Sequence, residues 1–418
     1  MSFAPSELQQ EIAALSSEIE AQKAILDDLI GRRSRAQRNL NAVLDPMARL
    51  PVELQSKIFV YCLRFDKDER ASRPYPKLAP MLVSNVCQLW RDIAISTPGL
   101  WAPLRMEGSP RGDNSFQLYR VWLERSRPLP ISLTLEVTSD LSEGVKHIID
   151  WFACRVEEVS LLFLADPHNE YRIPQLRFQS LKKLVVTVHD KKLFYVQDWI
   201  DLMHMSPGLL HCTFLADFSG YGDSPAGDFE PCTLLALKEL RLGVRSSSFR
   251  GINSTILLRY ITLPALESLH IHCNKTLPDA VSDFSAFILR SSPPLRCLVL
   301  DAPTAEYLYV VPTLETLSLT LSTSDLVSVL ETLATDPAFL PNLEHLTCTL
   351  KCTRSRGDFE VVVRMLKVRS LSTLRLNILI ISAFDGLAAP DEDILVELRR
   401  IRSSGVDIYI GEGQQNLV

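Results

Sequence analysis

The residues best equipped for chemistry are His270, His272 and Cys273, which fall within four consecutive positions. Imidazole and thiolate are the ligands zinc prefers, and a closed site needs four of them. The run His270-Ile271-His272-Cys273 has the look of a strand, where the two histidines flank an inward Ile271. No second ligand pair stands near it, so an exposed strand is the expectation. Cys348 and Cys352 are closely spaced too, again without a second pair. A serine hydrolase would want a Gly-x-Ser-x-Gly turn, and a nucleotide enzyme a glycine-rich loop opening a helix. Neither occurs among the 16 glycines. The expectation is a non-enzyme without metal or other cofactor, a protein that works by binding.

Composition narrows what it binds. The 418 residues allow two or three domains, and 46% apolar with 22% charged residues is ordinary for a globular chain. A formal charge of −6 argues against a broad nucleic-acid footprint. Met1-Ser2-Phe3-Ala4-Pro5 has neither the basic start nor the apolar core of a signal peptide. The longest apolar run, near Ile378–Ile381, is too short to span a bilayer, so no membrane partner is expected. Nine scattered cysteines suit buried thiols in a reducing compartment, cytoplasm or nucleus.

The elements that would do the binding begin at Leu50. Leu50-Pro51-Val52-Glu53-Leu54 opens a helix that runs through Ile58, Phe59 and Cys62. Pro51 suits a first turn, where its missing N–H has no intrahelical partner to lose. Glu53 suits the positive end of the helix dipole. Leu54, Ile58 and Cys62 recur every four residues and share a face. A charged loop from Arg64 to Pro80 follows. The spacing of Val83, Val86, Leu89/Trp90 and Ile93 predicts a second helix over Val83–Ala94, stopped by Thr97-Pro98-Gly99 before Trp101. Some fifty residues make a marginal core on their own, so an apolar face left over would gain from a partner.

In order and spacing, Leu50–Trp101 resembles an F-box, in the form common in large fungal families. The resemblance implies docking onto a Skp-type adaptor and, through it, a cullin ubiquitin ligase. Its contact positions map onto Leu50, Pro51, Leu54, Ile58, Val86 and Trp90. The long charged loop departs from the pattern.

Residues 7–44 carry a heptad seam: Leu8, Ile12, Leu15, Ile19, Gln22, Leu26, Leu29, Arg33, Ala36, Leu40 and Val43. Asp45-Pro46 ends it. Two readings stay open: a homodimer through this helix, or a helix that is solitary or folded back on the body.

From Pro128 onward one phrase recurs, apolar-x-x-apolar-x-apolar. Examples are Leu181/Leu184/Val186, Leu266/Leu269/Ile271 and Leu343/Leu346/Cys348, with starts mostly 25 to 29 residues apart and one step of 19 from Leu295 to Leu314. This is similar to a leucine-rich repeat array, in which stacked units bury one continuous core. Helices are predicted between strands at 193–205, 281–289, 326–333, 359–367 and 391–401, with a last strand at 406–410. The fold class is therefore α/β: an N-terminal coiled-coil helix (1–45), a small all-α F-box (46–105) and a leucine-rich-repeat-like solenoid (115–415). Residues between the inward leucines would face a concave surface and meet an unknown protein target, among them Lys183, Arg241, His270, Ser318, Thr347 and Arg375. The function expected is substrate recognition for a Skp–cullin–F-box ligase. The rival from another class is a scaffold that uses the repeats and coiled coil without joining a ligase.

Overall fold

The computed structural model describes residues 5–63, 79–110, 114–138, 141–164, 174, 176–188, 193–194, 196–218, 231–243, 254–272, 280–301, 306–336, 338–351, 359–369, 375–381, 391–412, 415–416 and 418. Most of the Arg64–Pro80 loop, together with Cys273, Cys352, Leu371 and Leu374, lies outside them. The chain forms two compact units, one of residues 1–105 and 118–129, the other of 106–117 and 130–418.

The first unit is helical. Helix α1 (Pro5–Leu44) is 40 residues long. Asp45 ends it and starts a 3-10 turn, its carboxylate accepting from the Met47 N–H at 2.9 Å. Pro51 stands at the N-cap of α2 (Val52–Cys62), one residue before the first turn, and its carbonyl accepts from the Leu54 and Gln55 N–H groups. Trp101 seals the end of this region. Its indole donates to the Ala94 carbonyl (2.8 Å), and its ring meets Trp122 edge-on at 5.1 Å.

The single helix expected over Val83–Ala94 is broken. Helix α3 (Met81–Ser84) stops after one turn, and α4 (Gln88–Ile95) starts from an extended Cys87 with φ −154° and ψ 173°. Side chains bond the backbone at the break: the Ser84 hydroxyl donates at 2.9 Å to the Pro80 carbonyl, which also accepts the Ser84 N–H, and Arg91 Nε donates to the Ser84 carbonyl at 2.9 Å. Such local bonds compete with a continuing helix. Val83 and Ile93 are accordingly buried while Val86 and Leu89 are exposed, so the four do not share one face.

The second unit is a large open sheet with helices between its strands. Among the described residues the sheet has thirteen strands: β1 (Pro103–Glu107, of which 103–105 count with the first unit), β2 (Ile131–Val137), β3 (Val156–Phe163), β4 (Lys183–Val188), β5 (His211–Leu215), β6 (Glu239–Gly243), β7 (Ser268–His272), β8 (Cys297–Asp301), β9 (Thr316–Leu321), β10 (His345–Lys351), β11 (Arg375–Ile381), β12 (Asp407–Glu412) and β13 (Gln415–Asn416). Their order in the sheet is their order in the chain. Every pair from β2 to β12 is parallel, and the final β12–β13 pair is antiparallel. A parallel step needs a crossover, and helices supply several. Those at Glu143–Phe152, Val196–His204, Ala280–Ser291, Thr323–Thr335, Phe359–Arg369 and Glu392–Ser403 are nine to 13 residues long. The short step between β8 and β9 is made by a four-residue helix, Glu306–Tyr309, which explains the 19-residue spacing.

The recurrent phrase becomes three buried rows. Its first apolar residue (Leu181, Leu209, Leu237, Leu266, Leu295, Leu314) packs just before each strand, and the other two lie in register across it. One row runs Val159, Leu184, Cys212, Leu240, Leu269, Leu298, Leu317, Leu346, Leu376 and Ile408, all buried. Helices pack on this side: Trp199 meets Phe214 edge-on at 6.2 Å, and Cys212 Sγ lies 3.9 Å from Met203 Sδ. Gly243 marks a close approach, since a Cβ there would sit 3.2 Å from Leu215 and 3.3 Å from His272.

Candidate functional site

The orientation of α2 follows from two buried residues one turn apart. The Phe59 ring lies 5.1 Å from that of Trp90, and Gln55 Nε2 donates to the Leu50 carbonyl at 2.7 Å. With that face inward, Leu54, Ile58 and Tyr61 form a stripe along the helix flank, spaced by four and three residues. Their exposures are 45%, 40% and 54%, high for apolar side chains on so small a unit. Val86, at the break between α3 and α4, is 55% exposed, and Leu82 and Leu89 are exposed nearby in sequence.

The six positions picked out by sequence therefore divide. Leu54 and Ile58 share one outward stripe, Pro51 is exposed at its start, and Val86 is exposed on a different segment. Leu50 and Trp90 are half-buried. Trp90 is tied into the fold: its indole donates to Asp45 Oδ2 at 2.6 Å, while Oδ1 of the same carboxylate holds the turn after α1. Tyr61 was missed although it extends the Leu54–Ile58 spacing by three residues. Leu89 was missed as an exposed residue because a continuous helix would have buried it. It lines a cleft of about 470 Å³ with Arg38, Asn39, Asn41, Asp45, Cys87, Gln88 and Asp92, bridged by Arg38 donating to Gln88 Oε1 at 2.6 Å.

In the second unit the candidate target-binding residues fall into two adjacent rows on the face opposite the leucines. Arg241, His270, Ser318 and Thr347 occupy one register position, which also holds Val185, Thr213, Val299, Asn377 and Tyr409. Lys183 and Arg375 occupy the position two residues earlier, with His211, Glu239, Ser268, Thr316, His345 and Asp407. The parallel register thus brings together side chains drawn from more than two hundred residues of sequence.

Their electrostatics are local. Glu239 accepts from Arg241 Nε and lies 3.0 Å from His211 Nδ1. Burial pushes the Glu239 pKa up, but hydrogen bonds from Arg241 and His211 outweigh it and hold the carboxyl below its ordinary value. His270 Nε2 lies 3.0 Å from the Ser268 hydroxyl. Burial, and after it the Arg241 charge, lowers the His270 pKa, so this imidazole is neutral near pH 7. His272 instead lies 3.3 Å from Asp301 Oδ2. Both histidines thus have protein partners on the strand face.

Among the described residues, no group of three or more His, Cys, Asp or Glu side chains is placed to hold a metal ion. The buried thiols are inert by environment: burial pushes Cys212 and Cys348 up to about 12 and Cys232 up to about 11. No described helix is long and apolar enough to cross a membrane. No protein-family model matches the chain, and no curated protein matches it.

Proposed function

We propose that this chain is an F-box adaptor, the substrate-recognition subunit of a Skp–cullin–F-box ubiquitin ligase. Residues 46–105 dock a Skp-type adaptor, and through it a cullin, with Leu50, Pro51, Leu54, Ile58, Val86 and Trp90. The observation that carries the reading is the bare Leu54–Ile58 stripe on a helix opened by Leu50-Pro51. Contiguous exposed apolar surface on a small unit marks a partner's contact area. Trp90 contributes by holding Phe59 and the turn at Asp45, which sets the angle of that stripe.

The strand array is a leucine-rich-repeat-like solenoid, and its two polar rows hold a protein target. The regular 25-to-29-residue step and the register-locked rows support this. Extended faces built by stacked repeats serve as binding surfaces. Lys183, Arg241, His270, Ser318, Thr347 and Arg375 are the contact residues. The protein works in the cytoplasm or nucleus, without a cofactor, nucleic acid or membrane. It makes and breaks no bond itself. It raises the concentration of the target beside a transferase carried by other subunits.

The test is capture of a purified Skp-type adaptor by the full-length chain, with the Leu54→Asp/Ile58→Asp double variant alongside. Capture lost only in the variant supports the ligase reading. A folded wild-type chain that captures no adaptor overturns it in favour of an interaction scaffold.

A further inference from the structure

Among the described residues the longest unpartnered apolar surface is the seam of α1. Leu8, Ile12, Leu15, Ile19, Leu26, Leu29, Leu40 and Val43 are each 44 to 70% exposed along a helix of about 60 Å. Isolated helices are marginal in water, and an apolar stripe of this length requires a covering surface. Charge indicates what the cover is. Residues 5–28 hold Glu7, Glu11, Glu18, Glu20, Asp27 and Asp28 against the single Lys23; residues 29–44 hold Arg32, Arg33, Arg35 and Arg38 and no acid. The helix is acidic in its first part and basic in its second. The helix dipole does not account for this, because it acts within the terminal turn, and the last turn of α1 has no basic residue.

We infer that two copies of this chain pair through α1 in antiparallel orientation. The seam itself selects the register. When residues whose numbers sum to 55 face each other, Ile12 meets Val43 of the second copy, Ile19 meets Ala36, Leu26 meets Leu29, and Leu40 meets Leu15. The two polar seam residues, Gln22 and Arg33, then meet each other rather than an apolar neighbour. The acidic part of each helix lies along the basic part of the other. A parallel pair would place Arg33 on Arg33 and the four arginines beside their own copies, a repulsion with no compensating layer. The antiparallel pair is closed and two-fold symmetric, so it stops at a dimer. It does not depend on the ligase reading.

Sedimentation equilibrium of the full-length chain tests it, using the wild type, Gln22→Glu and Gln22→Lys. The wild type should show twice the chain mass of 47.1 kDa. In the antiparallel register Gln22→Glu sets a carboxylate opposite Arg33 in two layers and tightens the dimer about 5- to 10-fold, while Gln22→Lys weakens it by a similar factor. In a parallel pair both substitutions set like charges face to face, and both weaken it. A monomeric wild type, a trimer or tetramer, or a Gln22→Glu variant that binds no more tightly overturns the inference.

Discussion

Replacing Leu54 and Ile58 together by alanine probes the proposed docking surface. The two side chains are 45% and 40% exposed, so a partner can still remove only that part of each from water. Full burial of such a side chain contributes about 1.5–3 kcal/mol, which scales to roughly 0.7–1.4 kcal/mol for Leu54 and roughly 0.6–1.2 kcal/mol for Ile58. Losing about 1.3–2.5 kcal/mol weakens binding about 10- to 60-fold. Aspartate at the same positions adds the desolvation of two carboxylates and should take the affinity below detection. The assay is isothermal titration with a purified Skp-type adaptor, with thermal melting of each variant as the folding control. By the same scaling the part of each side chain already covered contributes, for the pair, roughly 1.7–3.5 kcal/mol to folding, so the melting temperature should fall by several degrees and the titration is run well below the variant's midpoint. Phe59→Ala is the contrasting control: that ring is buried against Trp90, and its loss should cost about 3–5 kcal/mol of folding stability. An alanine pair that binds within twofold of the wild type would refute the assignment of this stripe as the docking surface.

Trp90→Phe keeps the ring against Phe59 but removes the donor to Asp45; denaturant unfolding should report a loss of about 1.5–3 kcal/mol. Gly144→Ala would place a Cβ 2.6–2.9 Å from ring carbons of Phe116, and its melting curve should show about 1–3 kcal/mol of overpacking. The buried thiols give a pH dependence: Cys212 and Cys348 rise to about 12 from an ordinary 9.0, so the unfolded chain ionises first and stability, intact below pH 9, falls as pH rises from 9 towards 12. The slope is about 1.4 kcal/mol per pH unit per thiol, and a Cys212→Ala/Cys348→Ala variant should flatten it in melts taken between pH 8 and 10.5.

Legibility in the sequence followed the strength of the period. The strands from β3 to β10 were readable because each repeats its inward residues and each stacks on a neighbour that does the same. Once Leu240, Leu269, Leu298 and Leu317 are aligned by phrase, their register is aligned as well. The helices at 196–204, 280–291, 323–335, 359–369 and 392–403 matched their expected spans to within a few residues. The break at Asn85–Cys87 was not readable. Val83, Val86, Leu89 and Ile93 have helical spacing, and the competing local bonds from Ser84 and Arg91 are side-chain choices that no hydrophobic period records. The same limit hid the exposure of Leu89, whereas Tyr61 was legible in the spacing of Leu54 and Ile58. The grouping of residues 118–129 with the first unit was also hidden, because it depends on Trp122 packing on Trp101 rather than on any local pattern.

The surfaces assigned to partners differ in kind. On α2, Leu54, Ile58 and Tyr61 form an apolar stripe with little polar interruption, a surface that gains by being covered and has few ways to discriminate what covers it. In the polar rows Glu239 pairs with both Arg241 and His211, so a target bound there as proposed would compete with bonds already made inside the face. Affinity there would, under that proposal, come from matching many positions across several strands, and a substitution at one of them, Ser318 for example, should shift affinity little. On the proposed reading, the apolar stripe takes the partner that is constant and the polar rows take the one that varies. The prediction that separates this division from a single shared interface is additivity. Substitutions on α2 should leave target affinity unchanged, substitutions at Arg241 and Arg375 should leave adaptor affinity unchanged, and the combined variant should lose the sum. A coupling energy above about 0.5 kcal/mol between the two sets would mean that the surfaces act as one.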